Sequence, residues 1–188
     1  MSQRTSVRLS RLLTAAVALL AAAAVAGAAP RTARAKKPSL SRQGPDLYGG
    51  YSYTHAGQAS LNGWALAGAY PLRGDLRLVA DLTGHYGSFA GADLSQTAFM
   101  AGARQTWPRW RIEPFVEGLA GLARRSTSVA GLSDSATSWG LALGGGVDYP
   151  LSDRWAARGL VQLRLLHGGG TWDTDPRLSL GAVYRFGR

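Results

Sequence analysis

Alternation of apolar and polar residues runs through much of the chain and is plainest between residues 76 and 89. There the even positions from Leu76 to Tyr86 are apolar, aromatic or glycine, and the odd positions from Arg77 to Gly87 hold nearly all the polar groups. A period of two places these sets on opposite faces of a β-strand, because successive side chains of an extended chain point to opposite sides. No window after residue 45 keeps an apolar stripe of helical period over helical length, so the pattern predicts an all-β domain.

Eight segments of residues 46–188 share this alternation. We expect strands near residues 46–55, 60–70, 76–89, 94–106, 111–125, 136–149, 155–167 and 176–186. The second, fourth and sixth connections are tight, whereas the other four are small, polar or glycine-rich, and the fifth and seventh are longer. Tight turns at one end and longer loops at the other are typical of consecutive hairpins closed into a barrel. We therefore predict an eight-stranded antiparallel up-and-down β-barrel.

Tyr70, Trp107 and Tyr149 each stand directly before a proline in the three tight connections. A residue before proline prefers the extended conformation, and proline itself presets the φ angle of a turn. We expect these three aromatic residues to end strands two, four and six.

The first 45 residues differ in composition from the rest. Arg4, Arg8 and Arg11 precede an apolar run from Leu12 to Ala28 that ends in small residues. This pattern predicts a secretory signal peptide over residues 1–28, with cleavage as late as residue 35, and a retained membrane anchor is the alternative. Residues 29–45 are basic and proline-punctuated, which predicts a flexible lead-in to a barrel domain of residues 46–188.

The formal charge of +10 belongs mainly to this N-terminal segment. Eight of the 21 Lys and Arg and none of the 11 Asp and Glu lie in residues 1–45, so the barrel carries only +2. That distribution argues against a nucleic-acid partner. The absence of cysteine from the sequence excludes both a disulfide framework and a thiolate metal site.

Two kinds of barrel fit the alternation. A soluble lipocalin-like barrel points its apolar face inward, whereas a transmembrane barrel points it toward lipid and keeps a polar lumen. Most predicted strands are long enough to cross a bilayer, which takes about 9–11 tilted residues. Trp139 and Tyr149 share the apolar face ten residues apart, a separation of roughly 25 Å in height that matches the band between two aromatic girdles. The sequence thus favours a transmembrane barrel with tight periplasmic turns and longer extracellular loops.

In this orientation the charged residues within the strands would line a narrow lumen, where carboxylates need cationic partners. The expected lumen ion-pair network comprises Arg77, Asp81, Arg104, Glu113, Glu117, Arg158, Arg164 and Arg185. Aromatic residues near the tight-turn ends would meet the periplasmic interface of the membrane. This expected girdle comprises Tyr70, Trp107, Tyr149, Trp155, Tyr184 and Phe186.

No residue pattern predicts catalysis, a cofactor or a metal site. His55, His85 and His167 are isolated from one another, and His85 is separated from Ser88 by a spacing of three that turns the two side chains to opposite faces. We therefore predict no catalytic, cofactor-binding or metal-binding residue.

Residues 46–188 resemble the small eight-stranded outer-membrane barrels of the OmpA/OmpX-like group. The resemblance lies in the opening LYGGYSYTHA, the strand ends GWALAGAYPL and GGGVDYPLSDRW, and the closing LSLGAVYRFGR. It implies an outer-membrane location in a Gram-negative-type envelope, contact with membrane lipid and lipopolysaccharide, and assembly by periplasmic chaperones and the barrel-insertion machinery. It implies no single activity, so a structural or surface-interaction role is expected. A soluble periplasmic barrel that binds an apolar ligand and a lipid A-modifying enzyme are the alternatives.

Overall fold

The computed structural model describes residues 44–187, apart from 57–58, 90–91, 109–110 and 130–131. The predicted signal peptide and nearly all of the predicted lead-in lie outside these residues. No helix in the described part of the chain is long and apolar enough to cross a membrane.

Eight antiparallel strands form a closed barrel in which every strand pairs with its neighbours in sequence, and the first strand pairs with the last. This arrangement confirms the predicted fold and leaves the sheet without an open edge across the wall. The strands are β1 (Asp46–Ala56), β2 (Ala59–Arg73), β3 (Leu76–Phe89), β4 (Ala92–Thr106), β5 (Glu113–Val129), β6 (Leu132–Pro150), β7 (Trp155–Gly168) and β8 (Thr171–Arg185).

The two faces of the wall are inverted relative to a soluble barrel. On β8, Leu178 and Leu180 are 42% and 57% exposed, whereas the residues that alternate with them, Arg177 and Ser179, are fully buried. The same division recurs on β6, where Leu141 and Leu143 are exposed and Ala142 is buried. Large apolar side chains on the outside and polar ones inside are the pattern of a barrel whose solvent is lipid.

The tight connections follow the aromatic–proline pairs closely. The β2–β3 turn contains Gly74 at a φ of 59°, a left-handed conformation that glycine adopts without steric cost, and the β2–β3 register shifts between Pro71 and Arg73. β2 ends three residues beyond Tyr70, β4 one residue before Trp107, and β6 one residue beyond Tyr149. The aromatic–proline pairs therefore mark these strand ends to within three residues.

The hairpins at the opposite end are more extended than the sequence predicted. β5 and β6 remain paired as far as Val129 and Leu132, so most of the expected fifth loop, residues 126–135, is strand. The seventh connection narrows to Gly169 and Gly170, both with positive φ. These segments lie beyond the lipid band and are rich in serine, threonine and aspartate, so their sequence lacks the apolar alternation of a strand. The sequence therefore predicted loops where the structure has paired strands.

Candidate functional site in the barrel lumen

Buried charges line the interior of the barrel. Seven of the eight predicted network residues are buried, and the eighth, Arg77, has a side chain that is 13% exposed. Sequence reasoning missed four further buried charged residues, which are Asp46, Asp148, Asp175 and Arg177. Among the described residues, six buried carboxylates thus face six arginines, counting Arg77, and a seventh, the half-buried Arg125, reaches Asp175 from β5.

The first group of ion pairs lies at the periplasmic end and centres on Arg158. Its guanidinium donates to both carboxylate oxygens of Asp148, its cross-strand neighbour, at 2.7 and 2.8 Å. Asp46 lies 3.7 Å from Arg158 and accepts a 2.7 Å hydrogen bond from Arg77. Asp46 is the first residue of β1, and Asp148 lies two residues before the end of β6. Both positions fall at the ends of the predicted strands, and neither was included in the expected lumen network.

The two glutamates of β5 bind different arginines. Glu113 accepts from Arg185 at 2.7 Å, whereas Glu117 accepts two hydrogen bonds from Arg104, at 2.6 and 2.9 Å. Phe115 stands between them and packs its ring 4.4 Å from the Arg104 guanidinium. A cavity of about 30 Å³ remains at this end, with room for about two water molecules.

A second group closes the middle of the lumen. Arg177 donates to both oxygens of Asp81, at 2.8 and 3.1 Å, and to the amide oxygen of Gln162 at 3.0 Å. The Gln162 amide nitrogen in turn donates to Glu117 at 3.0 Å. One hydrogen-bonded chain therefore links the middle group to the periplasmic group.

Arg164 departs from the expected ion pairing. It is fully buried, yet its partners are the hydroxyls of Thr54 at 3.0 Å and Thr83 at 3.4 Å, and no carboxylate among the described residues lies within 4.0 Å of it. Its cross-strand neighbour Asp175 binds Gln96 at 3.0 Å and Arg125 at 3.2 Å instead. Arg125 lies on β5, which does not pair with β8, so Asp175 forms its ion pair across the barrel interior and not with its neighbour on the adjacent strand.

The histidine and serine residues are arranged differently from a reactive pair. His85 is buried in the lumen and Ser88 is exposed on the outer face, as their spacing predicts. His85 is instead within 2.9 Å of Ser52, whose hydroxyl also lies 2.9 Å from Ser179 and accepts from Arg177. Sequence reasoning missed this contact because His85 and Ser52 come from different strands, β3 and β1. Both side chains are fully buried.

The six expected girdle residues lie at the periplasmic ends of their strands and point outward. Tyr70, Trp107, Tyr149, Trp155 and Phe186 are between 36% and 63% exposed, and Tyr184 is partly exposed. Tyr184 packs edge-on against Trp155 and Phe186, with ring centroids 5.0 and 4.8 Å apart. At the other end, Trp139, His167 and Trp172 form a row of ring contacts across β6, β7 and β8.

The described histidines and carboxylates do not cluster. No group of three or more His, Cys, Asp or Glu residues in the described part of the chain is placed to hold a metal ion. The lumen carboxylates point toward arginines, as the distances above record.

Solved structures of small outer-membrane barrels share the fold. Neisserial surface protein A superposes with a TM-score of 0.62 at 19% identity, covering 76% of this chain and 96% of its own. The attachment invasion locus protein Ail of Yersinia pestis gives 0.58 at 18% identity, with 77% and 99% covered. OprG of Pseudomonas aeruginosa gives 0.54 at 14% identity, with 78% and 98% covered. At these identities the likeness concerns the fold alone.

Sequence comparison places the chain in a family. No curated protein matches its sequence. A family model described as the outer membrane protein beta-barrel domain matches residues 13–186. This match confirms the predicted outer-membrane location. The chain belongs to the outer membrane protein beta-barrel domain family.

Proposed function

We propose that the protein is a non-enzymatic outer-membrane barrel with a closed lumen, which serves a structural or surface-interaction role through its extracellular end. The main support for a closed lumen is a continuous chain of hydrogen bonds across the interior. It runs from Arg104 through Glu117 and Gln162 to Arg177 and Asp81. Eight strands enclose an interior just wide enough for side chains, so a continuous polar chain of this kind leaves no room for a hydrated ion.

The energetics of buried ion pairs support a lumen that stays closed. Separating one partner from a buried pair leaves an uncompensated charge, at a cost of about 3–5 kcal/mol. Arg177 also donates to Ser52, Ser179 and Gln162, so several hydrogen bonds would have to break together. A spontaneous opening on this scale would be rare.

The extracellular end supports a role in surface contacts. The β6–β7 pairing begins at Trp139 and His167, whereas β5 and β6 continue their own pairing to Val129 and Leu132. Residues 132–138 of β6 therefore have no strand partner on the β7 side among the described residues. A strand edge with free backbone donors and acceptors can accept an extended segment of another protein.

The remaining partners are proposed from the family. The exposed apolar wall would contact outer-membrane lipid and lipopolysaccharide, and assembly would use periplasmic chaperones and the barrel-insertion machinery. A nucleic-acid partner is not proposed, because the barrel carries a net charge of only +2.

The two alternatives find less support. A soluble lipocalin-like barrel needs an apolar interior, and this interior holds the buried charges described above. A lipid A-modifying enzyme needs reactive groups that lipid can reach, whereas His85 and Ser52 are both enclosed.

Planar-bilayer recording with the purified protein tests the closed lumen. The wild-type barrel should give no resolvable ion current, and Asp81→Ala combined with Arg177→Ala should produce one, because the pair that fills the middle of the lumen is then removed. Steady conductance by the wild type would overturn the proposal. Heat-modified gel migration of both proteins is the folding control.

A further inference from the structure

An open cavity lies on the outer wall at the extracellular end of β3, β4 and β5, apart from the lumen. Its volume is about 460 Å³, within the range of clefts that hold small ligands, about 300–1,000 Å³. Its lining is formed by Tyr86, Gly87, Ser88, Asp93, Leu94, Ser95 and Ser128.

The strand register brings the polar members of this lining onto one surface. Tyr86 pairs with Ser95, and Ser88 pairs with Asp93, which on its other side pairs with Ser128. Residues directly opposite each other across paired strands point to the same face of the sheet. Four hydrogen-bonding groups therefore lie on the same face of the sheet as one aromatic ring, beside it and on its extracellular side.

Two polar groups of the cavity have no partner among the described residues. Tyr86 is 55% exposed and Asp93 is exposed. Neither the Tyr86 hydroxyl nor the Asp93 carboxylate forms a hydrogen bond or ion pair with the described residues. No described residue therefore competes with a ligand for these two groups, in contrast to Tyr51 and Tyr53, whose hydroxyls donate to Asn62 and Ser60.

The composition of the lining selects among ligand classes. The described residues that line the cavity include no Lys or Arg, and Asp93 would repel a phosphate or sulfate. One carboxylate with serine hydroxyls is too few strong oxygen ligands for Ca²⁺, which takes six to eight. A lipid chain would leave the hydroxyls and the carboxylate unsatisfied.

A neutral sugar satisfies the whole set. The C–H face of a pyranose ring can stack on the electron-rich face of Tyr86, and its hydroxyls can donate to Asp93 and exchange hydrogen bonds with the serines. We propose that this cavity, centred on Tyr86 and Asp93, binds a neutral hexopyranose unit at the outer surface of the membrane. This site deepens the surface-interaction role proposed above and does not depend on whether the lumen conducts.

Such a sugar could belong to the core of neighbouring lipopolysaccharide or to a soluble glycan, and the test separates the two. Isotope-labelled protein in phospholipid nanodiscs is titrated with methyl β-D-glucopyranoside, methyl β-D-galactopyranoside and glucose 6-phosphate, and amide shifts are followed by NMR. A second set of nanodiscs contains lipopolysaccharide with a complete core or a truncated lipopolysaccharide without hexoses.

We expect saturable shifts confined to the Tyr86–Ser95 region with at least one neutral glycoside or with the complete core, and weaker binding of glucose 6-phosphate. Response to the complete core alone identifies a membrane sugar, and response to the soluble glycosides identifies an external glycan. Either result supports the site. Absence of saturable shifts in both arms, or tighter binding of the phosphorylated sugar, would overturn it.

Two variants and two matched controls locate the binding. Tyr86→Leu and Asp93→Asn should each weaken it about tenfold, the effect of losing one ring contact or one charge-assisted hydrogen bond. Tyr53→Leu and Asp134→Asn alter the same residue types at the same end of the barrel, outside the cavity, and should leave binding unchanged. Equal losses in the controls would contradict the assignment. Asp93→Asn keeps the test usable if Tyr86→Leu does not fold, because Asp93 is exposed near a strand end.

Discussion

Arg177 and Asp81 form a two-pronged ion pair inside the barrel, with nitrogen–oxygen distances of 2.8 and 3.1 Å, although they lie 96 residues apart in sequence. β1 and β2 separate their strands in the wall, so the contact reaches across part of the lumen. A side-chain bridge of this kind fills the interior and joins strands that share no backbone hydrogen bonds.

Removing one partner of this pair should be costly. Arg177→Met alone leaves Asp81 buried without its cation and should lower the free energy of unfolding by about 3–5 kcal/mol. Arg177→Met with Asp81→Leu should be much less destabilising than the sum of the two single changes, because neither charge then remains. Urea unfolding in lipid vesicles measures the cycle.

The matched control for this cycle is the pair of Arg125 and Asp173 near the extracellular end, 3.5 Å apart, with the Asp173 side chain 60% exposed. Asp173→Asn should change stability by less than about 1 kcal/mol, since water screens an exposed pair. A loss as large as that of Arg177→Met would mean that burial does not set the strength of these pairs.

A charge placed on the apolar outer wall should cost more within the lipid band than above it. Leu143 on β6 is 65% exposed, and Leu143→Arg should destabilise the barrel by about 2–4 kcal/mol if lipid surrounds it. Thr137 lies on the same face of the same strand, six residues nearer the extracellular end, and Thr137→Arg should change stability by less than about 0.5 kcal/mol. Similar small effects at both positions would contradict a lipid-facing wall.

Trp64 covers the backbone of its cross-strand partner Gly84, where an added Cβ would stand 2.7 Å from the indole ring. Gly84→Ala should therefore displace the ring and lower the free energy of unfolding by about 1–3 kcal/mol. At Gly68 an added Cβ meets nothing within 4 Å, and Gly68→Ala should be neutral or stabilising by up to about 1 kcal/mol. The comparison fails if the two alanine variants unfold at the same urea concentration.

The aromatic residues before proline should lie at one depth in the membrane. Variants that carry a single tryptophan at position 70, 107 or 149 can be reconstituted with lipids brominated at different heights along the chain. All three should be quenched best by bromine near the headgroups, because amphipathic rings favour the interface. Strongest quenching of one of them at mid-bilayer would contradict a shared girdle.

Alternation predicted the number of strands and which residues of each strand share a face. At residues 76–89 a period of two separates Leu78 and Leu82 from Asp81 and Arg77, and β3 has the same limits in the structure. The prediction succeeds because one face of the barrel wall contacts lipid and the other faces the polar lumen, so apolar and polar residues must alternate along each strand. The outward orientation of Leu78 was then predictable from strand length and aromatic spacing.

The partners within the lumen were not predictable in the same way. Arg104 and Glu117 are direct cross-strand neighbours, so their ion pair follows from the strand register. The ion pairs of Arg177 with Asp81 and of Arg125 with Asp175 instead join strands that do not pair with each other. Such contacts depend on the stagger of the strands around the closed barrel, which local residue patterns do not encode. Arg177 was consequently left out of the expected network, and Arg164 was assigned an ion pair that the structure replaces with two hydroxyls.

The accessibility of Ser179 tests the closed lumen most directly. Its hydroxyl is fully buried and accepts a 3.0 Å hydrogen bond from Arg177, and the chain has no cysteine of its own. Ser179→Cys changes one atom, and the exposed Ser135→Cys is its control. In native membranes a small water-soluble thiol reagent should label Cys at position 135 at once and spare position 179 until the barrel is unfolded. Labelling of position 179 in the native barrel at the rate of position 135 would show a water-filled passage and contradict the account.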